Sequence, residues 1–115
     1  MMEFSVKFCN CCPHDVVIIL QDGSAVTFNK CDTPARVYND INTVFNINKV
    51  PILQRSGGNV INLPEPQDGV LYIVSEIVQK ARPDRADLLC PGPTIKNEFN
   101  VILGCSGLML RQNQG

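Results

Sequence analysis

The sequence lacks an excess of charge of either sign. Ten lysines and arginines stand against eleven aspartates and glutamates, for a formal net charge of −1, and the basic residues form no stripe. Such a surface provides no field that would attract nucleic-acid phosphates or an anionic membrane. We therefore expect neither a nucleic-acid polymer nor a membrane as partner, although a pocket with two or three arginines could hold a small phosphate-bearing ligand.

Long hydrophobic runs are also missing. No stretch approaches the roughly 20 apolar residues of a membrane-spanning helix, and the opening "MMEFSVKF" has neither the basic start nor the apolar core of a signal peptide. We therefore expect a cytoplasmic protein. The six cysteines (Cys9, Cys11, Cys12, Cys31, Cys90 and Cys105) are then expected to be reduced thiols.

The familiar signatures of enzyme classes are absent as well. The sequence contains no phosphate-cradling glycine loop, no paired catalytic carboxylates and no nucleotide-kinase motif. It has no internal repeat and no domain linker, and 115 residues suffice for one domain, residues 1–115. Only 18% of the residues are charged, which leaves apolar surface for self-association and favours a homo-oligomer.

The residues that are present favour β structure. Phe4, Val6 and Phe8 alternate with polar residues, and "DVVIIL" is short, apolar and mostly β-branched, as in a buried strand. Asp22-Gly23 predicts a tight turn after which "AVTFN" returns as a hairpin. Later strands are predicted at "TPARVYND", "TVFNI", "VPIL", "GNVINL" and "VLYIVS", with Gly57-Gly58 in "SGGN" as a hairpin tip and "PEPQDG" as a loop.

Helical signals are few. Ser75 can cap a short helix at "EIVQKA", which Pro83 ends, and "PDRADLL" predicts a second helical turn. The tail "TIKNEFNVILGCSGLML" predicts a final hairpin that turns at residues 97–100. We therefore predict a β-rich α+β fold, a single compact domain of antiparallel strands, sandwich or barrel-like, with one or two short helices.

A polar knot at Asn10–His14 is the first candidate site. Cys9, Cys12 and His14 have the spacing of part of a zinc site, but no second spaced pair of ligands follows. Cys12 and His14 could instead form a nucleophile and its base, although nothing marks an oxyanion hole. The third interpretation is a structural turn in which Asn10 and its neighbours bond the backbone.

The second candidate site is "ARPDRADLLCPGP", a proline-rich loop in which Arg82 and Arg85 alternate with Asp84 and Asp87. These charges could form internal ion pairs, each worth about 0–1 kcal/mol on a surface. Alternatively, an arginine could fork onto a phosphate or carboxylate while Asp87 orients it. Arg36, in a predicted strand, is either a solvent-facing residue or an inward-pointing anion contact. Tyr72 and Ser75 could line a pocket at the carboxyl end of their strand.

Several motifs together resemble a family of small, uncharacterised bacterial and bacteriophage proteins. These are N-x-x-P-H-D, A-R-V, L-P-E-P-x-x-G-x-x-Y-I-V-S, R-P-D-R-x-D-L-L-x-P-G-P and I-x-G-C-x-G-L, which span Asn10 to Leu108. Family members often carry leucine and threonine at Cys11 and Cys12, which weakens both thiol interpretations. The resemblance implies a ligand site formed by Asn10, Pro13, His14, Arg36, Tyr72, Ser75, Arg82, Arg85 and Asp87.

We interpret the chain as a phage-type binding protein that sequesters a small anionic molecule, such as a cyclic nucleotide or ADP-ribose derivative that signals host defence. In this hypothesis Arg36, Arg82 and Arg85 hold phosphate, Tyr72 stacks on a base, and the polar side chains read hydroxyl or base edges. No cofactor and no metal are expected. The alternatives are an enzyme with His14 as acid or base on a phosphoester or glycosidic bond, and an inhibitor of a host protein.

Overall fold

The computed structural model describes residues 6–111 of the chain, apart from the side chains at positions 39, 40, 56 and 57. Ten strands and one helix are found there: β1 (Lys7–Asn10), β2 (Val16–Ile19), β3 (Ala25–Phe28), β4 (Arg36–Ile47), β5 (Val50–Ile61), β6 (Val70–Ile73), α1 (Glu76–Ala81), β7 (Leu88–Pro91), β8 (Thr94–Lys96), β9 (Ile102–Cys105) and β10 (Leu108–Met109). The β-rich α+β class is confirmed. The predicted start of the first strand, Phe4, lies outside the described residues.

Two four-stranded sheets form what we call the body. The central sheet has the order β1-β6-β7-β10 and the outer sheet the order β3-β2-β9-β8. In the central sheet β1, β6 and β7 run parallel, and β2 pairs parallel to β9 in the outer sheet. The antiparallel strands that we predicted are thus accompanied by three parallel pairings, because the chain returns to each sheet through crossovers as well as through hairpins.

The central sheet separates two apolar cores. On one face Tyr72, Val74 and Leu88 pack with Val78 of α1 and with Ala35. On the other face Ile73 packs with Val16, Ile18 and Cys105 of the outer sheet. Alternate residues of β6 serve opposite cores because successive side chains of a strand point to opposite faces. The body is thus a stack of three layers with the central sheet in the middle.

Strands β4 and β5 form a separate two-stranded sheet, residues 36–61, which we call the arm. Each strand has 12 residues, which corresponds to a length of about 40 Å. The molecule measures 64 × 41 × 35 Å with a radius of gyration of 18.0 Å, whereas a compact domain of this length has one of about 13 Å. The molecule is therefore elongated, because the arm extends from the body.

The arm corrects two sequence predictions. "TPARVYND" and "TVFNI" belong to one continuous strand, as do "VPIL" and "GNVINL", and the hairpin tip is at Asn48-Lys49 rather than at "SGGN". Both tip residues have positive φ, 50° and 68°, as a tight hairpin turn requires. Gly58, with φ of 90°, instead lies at an irregularity of β5 where the register shifts. Glycine suits that conformation because a Cβ would strain it.

The predicted local signals of the body have mixed outcomes. The Asp22-Gly23 turn is confirmed, with Gly23 at φ of 89°, and Ser75 accepts a hydrogen bond from the backbone N–H of Val78 as the N-cap of α1. The second helical turn at "PDRADLL" was wrong, since residues 83–87 form turns and Leu88 begins β7. The last apolar run is split into β9 and β10, which lie in different sheets. Within residues 6–111 no helix is long and apolar enough to cross a membrane.

Candidate functional site

The arginines of the loop between α1 and β7 are each paired with an aspartate two residues later. Arg82 donates from Nε and Nη2 to Asp84 at 2.9 and 2.8 Å, and Arg85 donates in the same two-pronged way to Asp87 at 2.8 Å. Both guanidinium groups therefore already hold the kind of partner that a phosphate would replace. Of the two interpretations of this loop, internal ion pairing is the one that the geometry supports.

The two pairs differ in their environment. The Arg82 side chain is 37% exposed, whereas that of Arg85 is only 7% exposed and lies with its guanidinium carbon 5.7 Å from the centre of the Tyr72 ring. Such a cation over an aromatic face is an attractive electrostatic contact. The Tyr72 ring is itself 2% exposed, and its hydroxyl donates to the carbonyl oxygen of Glu65. Tyr72 is thus fixed inside the body and presents no free ring face to a ligand.

The electrostatics of the loop agree with this arrangement. Hydrogen bonding to Arg85 lowers the pKa of Asp87, and the same effect of Arg82 lowers the pKa of Asp84 to about 2. Both carboxylates are consequently ionised at neutral pH, so each cancels the charge of its arginine. The two ion pairs therefore leave the loop "ARPDRADLL" without net charge and hold the chain in place between α1 and β7.

Asn10 organises the polar turn near the N-terminus. Its Nδ2 donates to the carbonyl oxygens of His14, Phe28 and Asn29, and its Oδ1 accepts from the backbone N–H of Cys12. One side chain thus connects the turn to the outer sheet. This corresponds to the structural-turn interpretation, since every polar atom of the carboxamide bonds backbone.

The thiol interpretations receive no support from the geometry. Burial raises the pKa of Cys12 to about 11 and that of Cys11 to about 12, so both are protonated thiols at neutral pH. The Sγ atom of Cys12 contacts the carbonyl oxygen of Ile73 at 3.7 Å. Among the described residues, no group of three or more histidine, cysteine, aspartate and glutamate side chains is arranged to hold a metal ion.

The remaining predicted residues of this region are solvent-facing or structural. His14 and Pro13 are exposed, and Nδ1 of His14 lies 3.1 Å from the carbonyl oxygen of Asp15, to which it can only donate. The hydroxyl of Ser75 is used by the helix cap at 3.3 Å. These three residues do not form a common cluster with the arginine loop in any contact that the structure records.

Strand register separates the two candidate sites. Cys9 of β1 is aligned with Tyr72 of β6, so Asn10 belongs to the opposite face of the central sheet. Asn10 accordingly reaches Phe28 and Asn29 of the outer sheet, whereas Tyr72 and Arg85 lie on the side of α1. The structure does not bring Asn10 and Tyr72 together on one surface.

Arg36, at the base of the arm, differs from the other predicted arginines. Its side chain is exposed, and among the described side chains no hydrogen bond or ion pair engages its guanidinium. Tyr38, two residues on and 57% exposed, shares its face, and Asn59 is aligned with Tyr38 across the hairpin. Val37 and Val60, one step along each strand, pack against the core instead.

Sequence reasoning identified Arg36 but missed Tyr38 and Asn59. The signal that could have found Tyr38 is the period of two in "RVY", which places Arg36 and Tyr38 on one face once Val37 is assigned to the core. Asn59 could not be found, because its position opposite Tyr38 depends on the register of a hairpin whose tip was predicted at the wrong residues.

The body contains an apolar groove. It opens between the two sheets and has a volume of about 540 Å³. Its walls come from both layers, with these residues among the lining: Phe8, Leu71 and Leu89 of the central sheet and Ile18, Val26 and Phe28 of the outer sheet. All the lining side chains are apolar, so the groove suits an apolar occupant and not an anion.

Comparison with known proteins does not extend these findings. No protein-family model matches the chain, and neither a curated protein nor a solved structure matches it. What the chain does must therefore be argued from its own geometry.

Proposed function

We propose that the protein is a non-enzymatic binding protein that captures a small anionic molecule at the base of its arm, in the cytoplasm, or in the host cytoplasm if the chain is phage-encoded. The observation that carries this proposal is the face formed by Arg36, Tyr38 and Asn59. It combines a cation, an aromatic ring and an amide, all turned to solvent and none of them used by the core.

The chemistry of this face fits a phosphate-bearing ligand with a ring. The planar guanidinium of Arg36 can donate two parallel hydrogen bonds to a phosphate or carboxylate. The exposed ring of Tyr38 can stack on a base, and the amide of Asn59 can donate to and accept from hydroxyl or base edges. A nucleotide-derived signal, such as a cyclic nucleotide or ADP-ribose derivative, presents a phosphate, a base and hydroxyl groups.

Arg82 and Arg85 have a supporting role in this proposal instead of a ligand-binding one. A phosphate that displaced Asp87 from Arg85 would leave a carboxylate without its partner in a largely buried setting, which costs free energy. Arg36 involves no such exchange. This difference is why the proposed anion contact moves from the loop to the arm.

Isothermal titration calorimetry against a panel of cyclic nucleotides and ADP-ribose derivatives tests the proposal. We expect one member to bind and Arg36→Ala to weaken its binding roughly tenfold or more, because a charge-assisted hydrogen bond contributes about 1.5–3 kcal/mol. Arg55→Ala is the matched control, since Arg55 is an exposed arginine of the same arm on the face opposite Tyr38. No binding by any member at micromolar concentrations would count decisively against the proposal.

The fate of the ligand separates binding from catalysis. After incubation and denaturation of the protein, a captured ligand should be recovered unchanged, as chromatography and mass spectrometry can show. Recovery of a cleaved phosphoester or glycosidic bond would instead identify an enzyme and overturn the non-enzymatic part of the proposal. His14→Ala would then show whether that histidine is the acid or base.

A further inference from the structure

The outer part of the arm exposes most of its described side chains to solvent. Described side chains between positions 41 and 55 are exposed, with the exception of half-buried Ile52. A two-stranded hairpin without further packing is at best marginally stable in water. Long unpaired strand edges with exposed apolar side chains also template association. The exposed part of the arm therefore requires cover.

The apolar side chains of the arm are concentrated at its tip. Phe45 is aligned with Ile52 and Ile47 with Val50, in an uninterrupted stretch of register, so all four share one face. Phe45, Ile47 and Val50 are 53%, 52% and 57% exposed. We call these four residues the tip cluster. Asn46 lies on the opposite face of the hairpin, so that face carries a polar side chain at the tip.

The same chain contains a receptor with matching chemistry. A cavity of about 150 Å³ lined by leucine, isoleucine and phenylalanine takes up one benzene ring. By that measure the groove of about 540 Å³ between the two sheets accommodates about three or four side chains of this size. The tip cluster offers one phenyl ring and three β-branched side chains.

We propose that the arm is a self-association element, and that the tip cluster of one copy docks into the apolar groove of a second copy. A second copy is favoured over a charged partner because neither surface carries charge that a charged partner would match: every side chain lining the groove is apolar, and the tip cluster is uncharged. Each copy offers one arm and one groove, so a reciprocal two-fold exchange satisfies both surfaces at once.

The area available reaches that of a small specific contact. Phe45, Ile47 and Val50 of the tip cluster are exposed by 52–57%. With areas on the order of 150–200 Å² each, they offer roughly 250–300 Å² per copy. Two tips and the two grooves that receive them would therefore bury about 1,000–1,200 Å², the lower end of the range for specific interfaces.

The first test measures the mass of the purified protein by size-exclusion chromatography with light scattering, without any ligand. We expect a dimer for the unmodified chain and a monomer for Phe45→Asp, with dimerisation weakened roughly thirtyfold or more, as for loss of a hot-spot side chain. Asn46→Asp adds the same charge to the other face of the tip and should remain dimeric. A monomeric unmodified chain at high micromolar concentration would overturn the proposal.

The second test locates the receptor. Leu20 lines the groove and is 42% exposed, so Leu20→Asp should also give a folded monomer, as thermal unfolding by circular dichroism can verify. Mixing Phe45→Asp with Leu20→Asp should partly restore association, because one intact arm then meets one intact groove. A Leu20→Asp protein that stays fully dimeric would show that the arms pair with each other or with another surface, and the groove assignment would be wrong. The outcome does not depend on the anionic ligand.

Discussion

Ile73 of the body and Ile47 of the arm lie in opposite environments. In the body Ile73 is fully buried between the central and outer sheets, whereas in the arm Ile47 is 52% exposed on the tip. Burial of such a side chain contributes roughly 1.5–3 kcal/mol, so the body holds its stability within one chain. The arm keeps a comparable side chain half exposed to solvent. The comparison separates the apolar surface that stabilises the fold from the apolar surface that is left exposed on the arm.

The largest expected effect is the truncation of a body isoleucine. Ile73→Ala should destabilise the protein by about 3 kcal/mol, because it removes buried methyl groups and leaves a cavity. Ile47→Ala, the same change in the tip cluster, should alter the free energy of unfolding by less than about 0.5 kcal/mol at concentrations where the chain is monomeric. Urea denaturation at low protein concentration measures both. Equal effects would mean that the arm folds as part of the body.

The second expected effect is the loss of the buried ion pair of the body. Arg85→Ala should cost about 2–3 kcal/mol at pH 7, less than a fully buried pair would, because Asp87 keeps some access to water. Since the pKa of Asp87 is lowered in the folded state, its stabilisation is present above the unfolded pKa of about 4 and is lost as the pH falls through the folded pKa. Urea denaturation should therefore show the two proteins converging in acid. A difference that persists unchanged below pH 3 would contradict this linkage.

A glycine of the arm provides the third test. Gly58→Ala places a Cβ on a residue with φ of 90° and should cost about 1 kcal/mol. The effect should be confined to the arm, so hydrogen exchange should accelerate for amides of β4 and β5 and stay unchanged for β6 and β7. Gly23→Ala, at a φ of 89° in the turn between β2 and β3, is the matched change in the body. Accelerated exchange throughout the molecule for Gly58→Ala would show that the arm and the body unfold together.

The smallest expected effect concerns His14 on the surface of the body. His14→Ala should change the free energy of unfolding by less than about 0.5 kcal/mol, because the ring is exposed and its recorded hydrogen bond is to the adjacent residue. Thermal or urea denaturation measures it, with Asn10→Ala as the contrast. Asn10 bonds four backbone groups, so its truncation should cost more. A His14 effect as large as that of Asn10 would reveal a structural role for the imidazole.

Local signals in the sequence predicted several elements of the body. The β-branched run "DVVIIL" predicted β2, the Asp22-Gly23 pair predicted the following turn, and Ser75 predicted the start of α1, because each depends on neighbouring residues only. The parallel pairing of β1 with β6 could not be read locally, since the partners lie far apart in the chain. Sheet order is decided by packing, which has no signature at one position.

The arm was mispredicted for a physical reason. Its middle contains "NDINT" and "SGG", residue types that are typical of turns, yet cross-strand pairing on either side keeps both segments within β4 and β5. Which charged residues pair with each other at the candidate site likewise depends on the folded structure. The charges of "RPDRAD" predicted an ordered loop, but only the structure reveals that each aspartate takes up its own arginine and that Arg36 is left available.

The two irregularities of the arm limit how far the arm can vary in length. Val44 of β4 and Gly58 of β5 have no aligned residue on the other strand. Val44 is an extra residue in β4. Because of it, Phe45 and Ile47 lie on the same face as Tyr38, although odd- and even-numbered residues of a regular strand lie on opposite faces. Deleting Val44 alone would remove the irregularity and leave Phe45 opposite Ile52 on the same face. Adding one residue to each strand between this point and the tip would instead turn the tip cluster to the other face. Adding two residues to each strand preserves the orientation, so the reach of the arm changes in steps of about 7 Å.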